Sequence, residues 1–69
     1  MENKKTICEL LTKTVQETQG GEDVTEILYT KRDDGEEFAT IIFKNGYKKP
    51  VCVTADSGTA LIRDVMRHL

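Results

Sequence analysis

His68 is the chain's one histidine, and Asp64 precedes it at the i, i+4 spacing that sets a carboxylate beside an imidazole on one helical face. A hydrolytic site would need a nucleophile held against such a pair. Nothing around it supplies one, and the pair is expected to be a solvated helix end. Cys8 and Cys52 are single thiols in different elements, flanked by apolar residues and without C-x-x-C spacing. Small buried hydrophobes kept reduced are the expectation. Cys8, Cys52 and His68 do not have metal-ligand spacing, and Asp33-Asp34-Gly35-Glu36-Glu37 lacks the twelve-position pattern of a calcium loop. No catalytic residue, metal or cofactor is therefore assigned, and the chain is read as no enzyme.

Two charged groups remain as binding candidates. Lys44-Asn45-Gly46-Tyr47-Lys48-Lys49 is a basic turn with an aromatic residue, and Arg63 and Arg67 lie one helical turn apart. Lysines reach phosphates and a tyrosine can stack on a base, so Lys44, Tyr47, Lys48, Lys49, Arg63 and Arg67 are the nucleic-acid-binding candidates. Hairpin tips are also commonly lysine-rich for solubility. The acidic residues Glu22-Asp23 and Asp33 to Glu37 would mimic phosphates if they formed one surface. Residues 1 to 37 hold five Lys/Arg against ten Asp/Glu and residues 38 to 69 hold five against two, so the formal charge of -2 covers a strong asymmetry. Such a dipole steers an oppositely patterned partner, including a second copy.

The elements that must position these groups follow from periodicity. Ile7, Leu10, Leu11 and Val15, with Cys8 at the margin, repeat as one helical face between Asn3 and Gln19, with Asn3 as N-cap and Gly20-Gly21 as the stop. Val24 to Lys31 alternates and is rich in β-branched and aromatic residues, ending at Asp33-Asp34-Gly35. Residues 37 to 54 read as a hairpin turning at Asn45-Gly46, the pair best suited to a two-residue type I′ loop. Pro50 lacks a backbone donor, which places its strand at an edge and leaves the strand before it central. Thr54, Asp56 or Ser57 caps a last helix with the apolar stripe Leu61, Ile62, Val65, Met66 and Leu69. The expected fold is α+β: a three-stranded antiparallel meander flanked by an N-terminal and a C-terminal helix, α-β-β-β-α, as one small domain over residues 1 to 69.

A two-residue loop at Asn45-Gly46 pairs Lys44 with Tyr47, Ile42 with Lys49, Thr40 with Val51 and Phe38 with Val53. With an even-numbered first turn, Ile27 and Tyr29 join Phe38, Ile42, Val51 and Val53 as the core; a three-residue turn would instead send Val24 and Leu28 to the Phe38 side. The opposite face then carries Ala39, Ile41, Phe43, Lys48, Pro50 and Cys52. Both faces of the central strand are apolar, unlike a sheet with one wet side. Three arrangements fit: a helix on each face, both helices on one face with the other paired to a partner, or scattered surface apolar residues. The second suits so short a chain. Ala39, Ile41, Phe43 and Cys52 are accordingly the protein-interface candidates, and a homodimer or a protein partner is expected.

The α-β-β-β-α order is similar to that of the double-stranded RNA-binding domain. That family has a basic run at the start of its last helix, where this chain has Ala55-Asp56-Ser57-Gly58-Thr59, so the likeness is one of topology. Three strands, a basic hairpin and a helix also resemble the arm-binding domains of phage-type integrases. Val51 to Gly58, running into Ala60-Leu61-Ile62-Arg63-Asp64-Val65, resembles short uncharacterised proteins of phages and mobile elements of Gram-positive bacteria. This resemblance implies a small accessory protein that acts by binding. Charged residues at 32% and apolar ones at 38% leave no run long enough to span a membrane. Met1 to Lys5 is polar, followed by an amphipathic stretch rather than a secretory signal, so a cytoplasmic location is expected. The expected function is a non-catalytic interaction or regulatory protein acting through an uncovered sheet face or edge, with nucleic-acid binding as the alternative.

Overall fold

The computed structural model describes residues 3 to 69; Met1 and Glu2, part of the polar start from which a non-secreted chain is expected, lie outside them. The elements are α1 (Lys4–Gln16), β1 (Val24–Lys31), β2 (Glu37–Phe43), β3 (Lys48–Cys52) and α2 (Gly58–Arg67), with the antiparallel sheet ordered β1-β2-β3. The chain is thus α+β in the order α-β-β-β-α, with β2 central and Pro50 on an edge strand. No helix among the described residues is long and apolar enough to cross a membrane.

Asn3 caps α1, its side chain accepting from Thr6 N at 3.1 Å, and Ser57 caps α2, accepting from Ala60 N at 3.2 Å. Each satisfies a donor that the first helical turn leaves free. Helix α1 stops at Gln16 rather than Gln19 because the chain folds back at once. Gly21 lies so close to Val15 that an added Cβ would overlap its side chain and its carbonyl oxygen. Gly21 is needed for this close approach.

Cys8, Leu11 and Val15 from α1 and Leu61 and Val65 from α2 pack with Val24, Ile27, Ala39, Ile41, Val51 and Val53 in one core. Both helices therefore cover one face of the sheet. Leu10, Ile62, Met66 and Leu69 are exposed, so each helix buries a narrower stripe than its apolar pattern implies, and Cys8 rather than Leu10 points inward.

The main departure is in the turns. Phe43 pairs with Tyr47 and Arg32 with Glu36, leaving the three-residue loops Lys44-Asn45-Gly46 and Asp33-Asp34-Gly35. In each, the glycine has positive φ, 92° at Gly35 and 90° at Gly46, and no other described residue does. A type I turn followed by a left-handed glycine needs one such residue, whereas type I′ would force Asn45 there as well. Asp34 and Asn45 use their side chains instead to accept from Glu36 N at 3.0 Å and Tyr47 N at 2.9 Å. Phe43 and Tyr47 then meet as an aromatic pair with centroids 5.8 Å apart.

A slip of one residue inverts a strand's faces. Both turns slip equally, so Ile27 and Tyr29 on β1 and Val51 and Val53 on β3 keep their expected core side, and β2 alone is inverted. The pairs are Ala39 with Val51, Thr40 with Pro50 and Phe38 with Cys52. Ala39 and Ile41 are buried, while Phe38 and Ile42 face away from the helices. Leu28 joins them, as a three-residue first turn requires, but Val24 does not: a bulge between Val24 and Glu26 turns it back into the core. Gln16 Nε2 donates to Val24 O and Thr25 O, both at 3.0 Å, satisfying carbonyls that the bulge releases from the ladder.

Candidate functional site

The uncovered sheet face is built by alternation. Leu28 on β1, Phe38, Thr40 and Ile42 on β2, and Pro50 and Cys52 on β3 share it. Leu28 is 45% exposed, and the three β2 residues are half-buried. The apolar rows end in charges of both signs. Glu26, Ile42 and Lys48 form one end row across the sheet. Arg32 and Glu36 form the other, the Arg32 guanidinium lying 6.0 Å from the Phe38 ring centroid and Glu36 accepting from the Thr54 hydroxyl at 2.6 Å.

Of the four residues expected on a protein interface, only Cys52 lies there. Ala39 and Ile41 are fully buried under the helices, and Phe43 packs against the core beside Tyr47, because the turn is one residue longer than the type I′ loop. Cys52 is exposed and Cys8 is buried; both thiols are free, and burial pushes the Cys8 thiol up.

The basic hairpin is divided by the same alternation. Lys44, Tyr47 and Lys48 are exposed, with Lys48 on the uncovered face, while Lys49 turns toward the helices and donates from Nζ to His68 O at 3.3 Å. Lys49 thus serves the carboxyl end of α2, where free carbonyls and the helix dipole favour a cation. Arg63 is exposed, and Arg67 stands 4.0 Å from Asp64 across one turn. The acidic clusters do not merge. Asp23 O accepts from Lys44 N beside the basic turn, whereas Asp33 and Asp34 lie past the far end of β1.

The Asp64 and His68 side chains do not form the carboxylate-imidazole pair their spacing allows. His68 Nδ1 donates to the Asp64 backbone carbonyl at 2.7 Å, and the nearest cation to the Asp64 carboxyl is Arg67 at 4.0 Å. A hydrogen bond with Asp64, burial and the Asp64 charge push the Asp56 carboxyl up.

Sequence reasoning missed a polar tie between the layers. Lys4 Nζ donates to Glu37 Oε1 at 3.1 Å and to Val53 O at 2.8 Å, and the Tyr29 hydroxyl donates to Glu37 Oε2. The Tyr29 and Lys4 bonds hold the Glu37 carboxyl below the usual carboxylate range, while the bond to Glu37 and burial push Tyr29 up to about 12. Glu37 stays ionised and Tyr29 keeps its proton near neutrality, so neither is poised for proton transfer there. The trio pins α1 to β1 and to the β2 and β3 ends. Its only sequence signal is a carboxylate on the core side of a strand, visible once the register is right.

Among the described residues no group of three His, Cys, Asp or Glu side chains could hold a metal ion. Comparison of the chain with known protein families, with curated proteins and with solved structures finds no match.

Proposed function

We propose that the protein is a non-catalytic interaction module whose working surface is the uncovered sheet face, binding another protein through Leu28, Phe38 and Ile42 with Cys52 and Pro50 at the side. The carrying observation is the placement of both helices on one side, which leaves an apolar sheet face framed by charge. Apolar rows inside a polar rim are the anatomy of a protein interface, and a short chain gains stability by covering them. The accessory role implied by the resemblance of residues 51 to 65 to mobile-element proteins agrees with a module that acts by binding, in the cytoplasm.

Nucleic-acid binding through Lys44, Tyr47, Lys48, Arg63 and Arg67 is the weaker reading. Lys49 is occupied at the end of α2, and the remaining cations lie on different faces. Affinity capture from the native cell separates the two. The protein reading expects a protein partner that Ile42→Lys loses and Lys44→Glu keeps. Recovery of nucleic acid that Lys44→Glu loses would reverse the choice.

A further inference from the structure

The uncovered face is complementary to itself. Its cross-strand rows are Glu26, Ile42 and Lys48 at one end; Leu28, Thr40 and Pro50 next; then Thr30, Phe38 and Cys52; and Arg32 with Glu36 at the other end. A two-fold axis lying between two such faces, parallel to the strands, sets β1 of one copy over β3 of the other and matches each row with itself. Glu26 then faces the other copy's Lys48, and Lys48 its Glu26. Arg32 comes within side-chain reach of the opposite Glu36. Apolar rows meet apolar rows, with Phe38 and Ile42 on the central strand facing their own counterparts near the axis. An axis perpendicular to the strands also sets opposite charges together, Glu26 over Arg32, but places Ile42 over Glu36 and Phe38 over Thr40, so the central apolar residues no longer meet each other. We infer that the occupant of this face is a second copy of the chain, packed sheet on sheet in the first arrangement; the inference rests on the reading of the face as a protein-binding surface.

The size of the face sets the strength expected. Strands about 4.8 Å apart and rising about 3.3 Å per residue give this face a plan area of about 300 Å². With the rim side chains folded over, two copies bury roughly 1,000 Å², the low end of specific interfaces. So small an interface is of the weak, transient class, and its association is strengthened at low salt by the end-row charges.

Sedimentation equilibrium at low and high salt tests the arrangement. Glu26 and Lys48 are exposed, so their substitution leaves the core intact. Lys48→Glu sets like charges opposite each other at two symmetry-related places and is expected to weaken the dimer about tenfold, as is Glu26→Lys. The double variant, Glu26→Lys with Lys48→Glu, keeps the net charge and restores the dimer. A wild-type dimer that the double variant fails to restore overturns this arrangement, and a wild type monomeric at several hundred micromolar overturns the second copy as occupant. Neither outcome touches the protein-binding reading, which fails instead if Ile42→Lys retains a captured partner.

Discussion

Ile41 and Ile42 are adjacent and chemically identical, yet they point to opposite faces of β2, and truncating each to alanine measures the register directly. Ile41 is fully buried between the sheet and the helices, so Ile41→Ala removes its packing and leaves a cavity. The expected cost is about 3 kcal/mol, within the roughly 2–5 kcal/mol usual for such truncations. A domain of this length has about 3–10 kcal/mol in total. Ile41→Ala should therefore lower the melting temperature by at least about 10 °C and leave the chain marginally folded. Ile42 is open on one side, and Ile42→Ala should cost about 1 kcal/mol or less. Thermal and urea unfolding followed by circular dichroism, at low micromolar concentration and high salt so that self-association adds little, gives both numbers. A two-residue turn at Asn45-Gly46 would reverse them. If Ile42→Ala costs more than Ile41→Ala the three-residue turn falls, and if the two cost the same the uncovered face falls.

Four further outcomes follow from the same structure. Gly46→Ala forces a side chain into the left-handed region and should cost about 1–2 kcal/mol by urea unfolding, with Gly35→Ala similar. Gly21→Ala places a methyl into Val15 and should cost about 1–3 kcal/mol, where a surface loop glycine such as Gly20 would tolerate the change. Glu37 is held ionised below its ordinary range, so its contribution is full above the ordinary carboxylate value and is lost as pH falls through the lowered folded value; Tyr29 contributes below pH 10 and loses this as pH rises to about 12. Tyr29→Phe should flatten the alkaline limb of melting temperature against pH. Asp56 has the opposite sign from Glu37, because its raised value penalises the ionised native state and acidification relieves the penalty, so Asp56→Asn should raise the melting temperature at pH 7 and remove that relief.

The elements, their order, the central strand and the capping residues Asn3 and Ser57 were legible because each rests on a local pattern: helical spacing, strand alternation, an edge proline or a capping side chain. Turn length was not. Asn-Gly suits a type I′ loop, with both residues left-handed, and equally a type I turn in which the asparagine amide takes the next backbone N–H and only the glycine is left-handed. Choosing between them needs the whole sheet, since Val24, Ile27, Val51 and Val53 must face the helices together. The candidate surface inherited that ambiguity, which exchanged Phe38 and Ile42 for Ala39 and Ile41 and kept only Cys52. In the sequence Lys49 belongs to a basic tip, because nothing local places the end of α2 beside it. The Lys4, Glu37 and Tyr29 tie joins three elements distant in sequence, and no local pattern announces it.

The proposed binding surface is the uncovered sheet face. Methyl NMR on a sample labelled at isoleucine and leucine tests it most directly, titrated with a captured partner protein or with itself by concentration. The account predicts shifts and broadening at Leu28 and Ile42, with Ile27 and Ile41 little changed. Perturbation centred on Leu10 and Ile62 between the helices, with Leu28 and Ile42 unmoved, would contradict it.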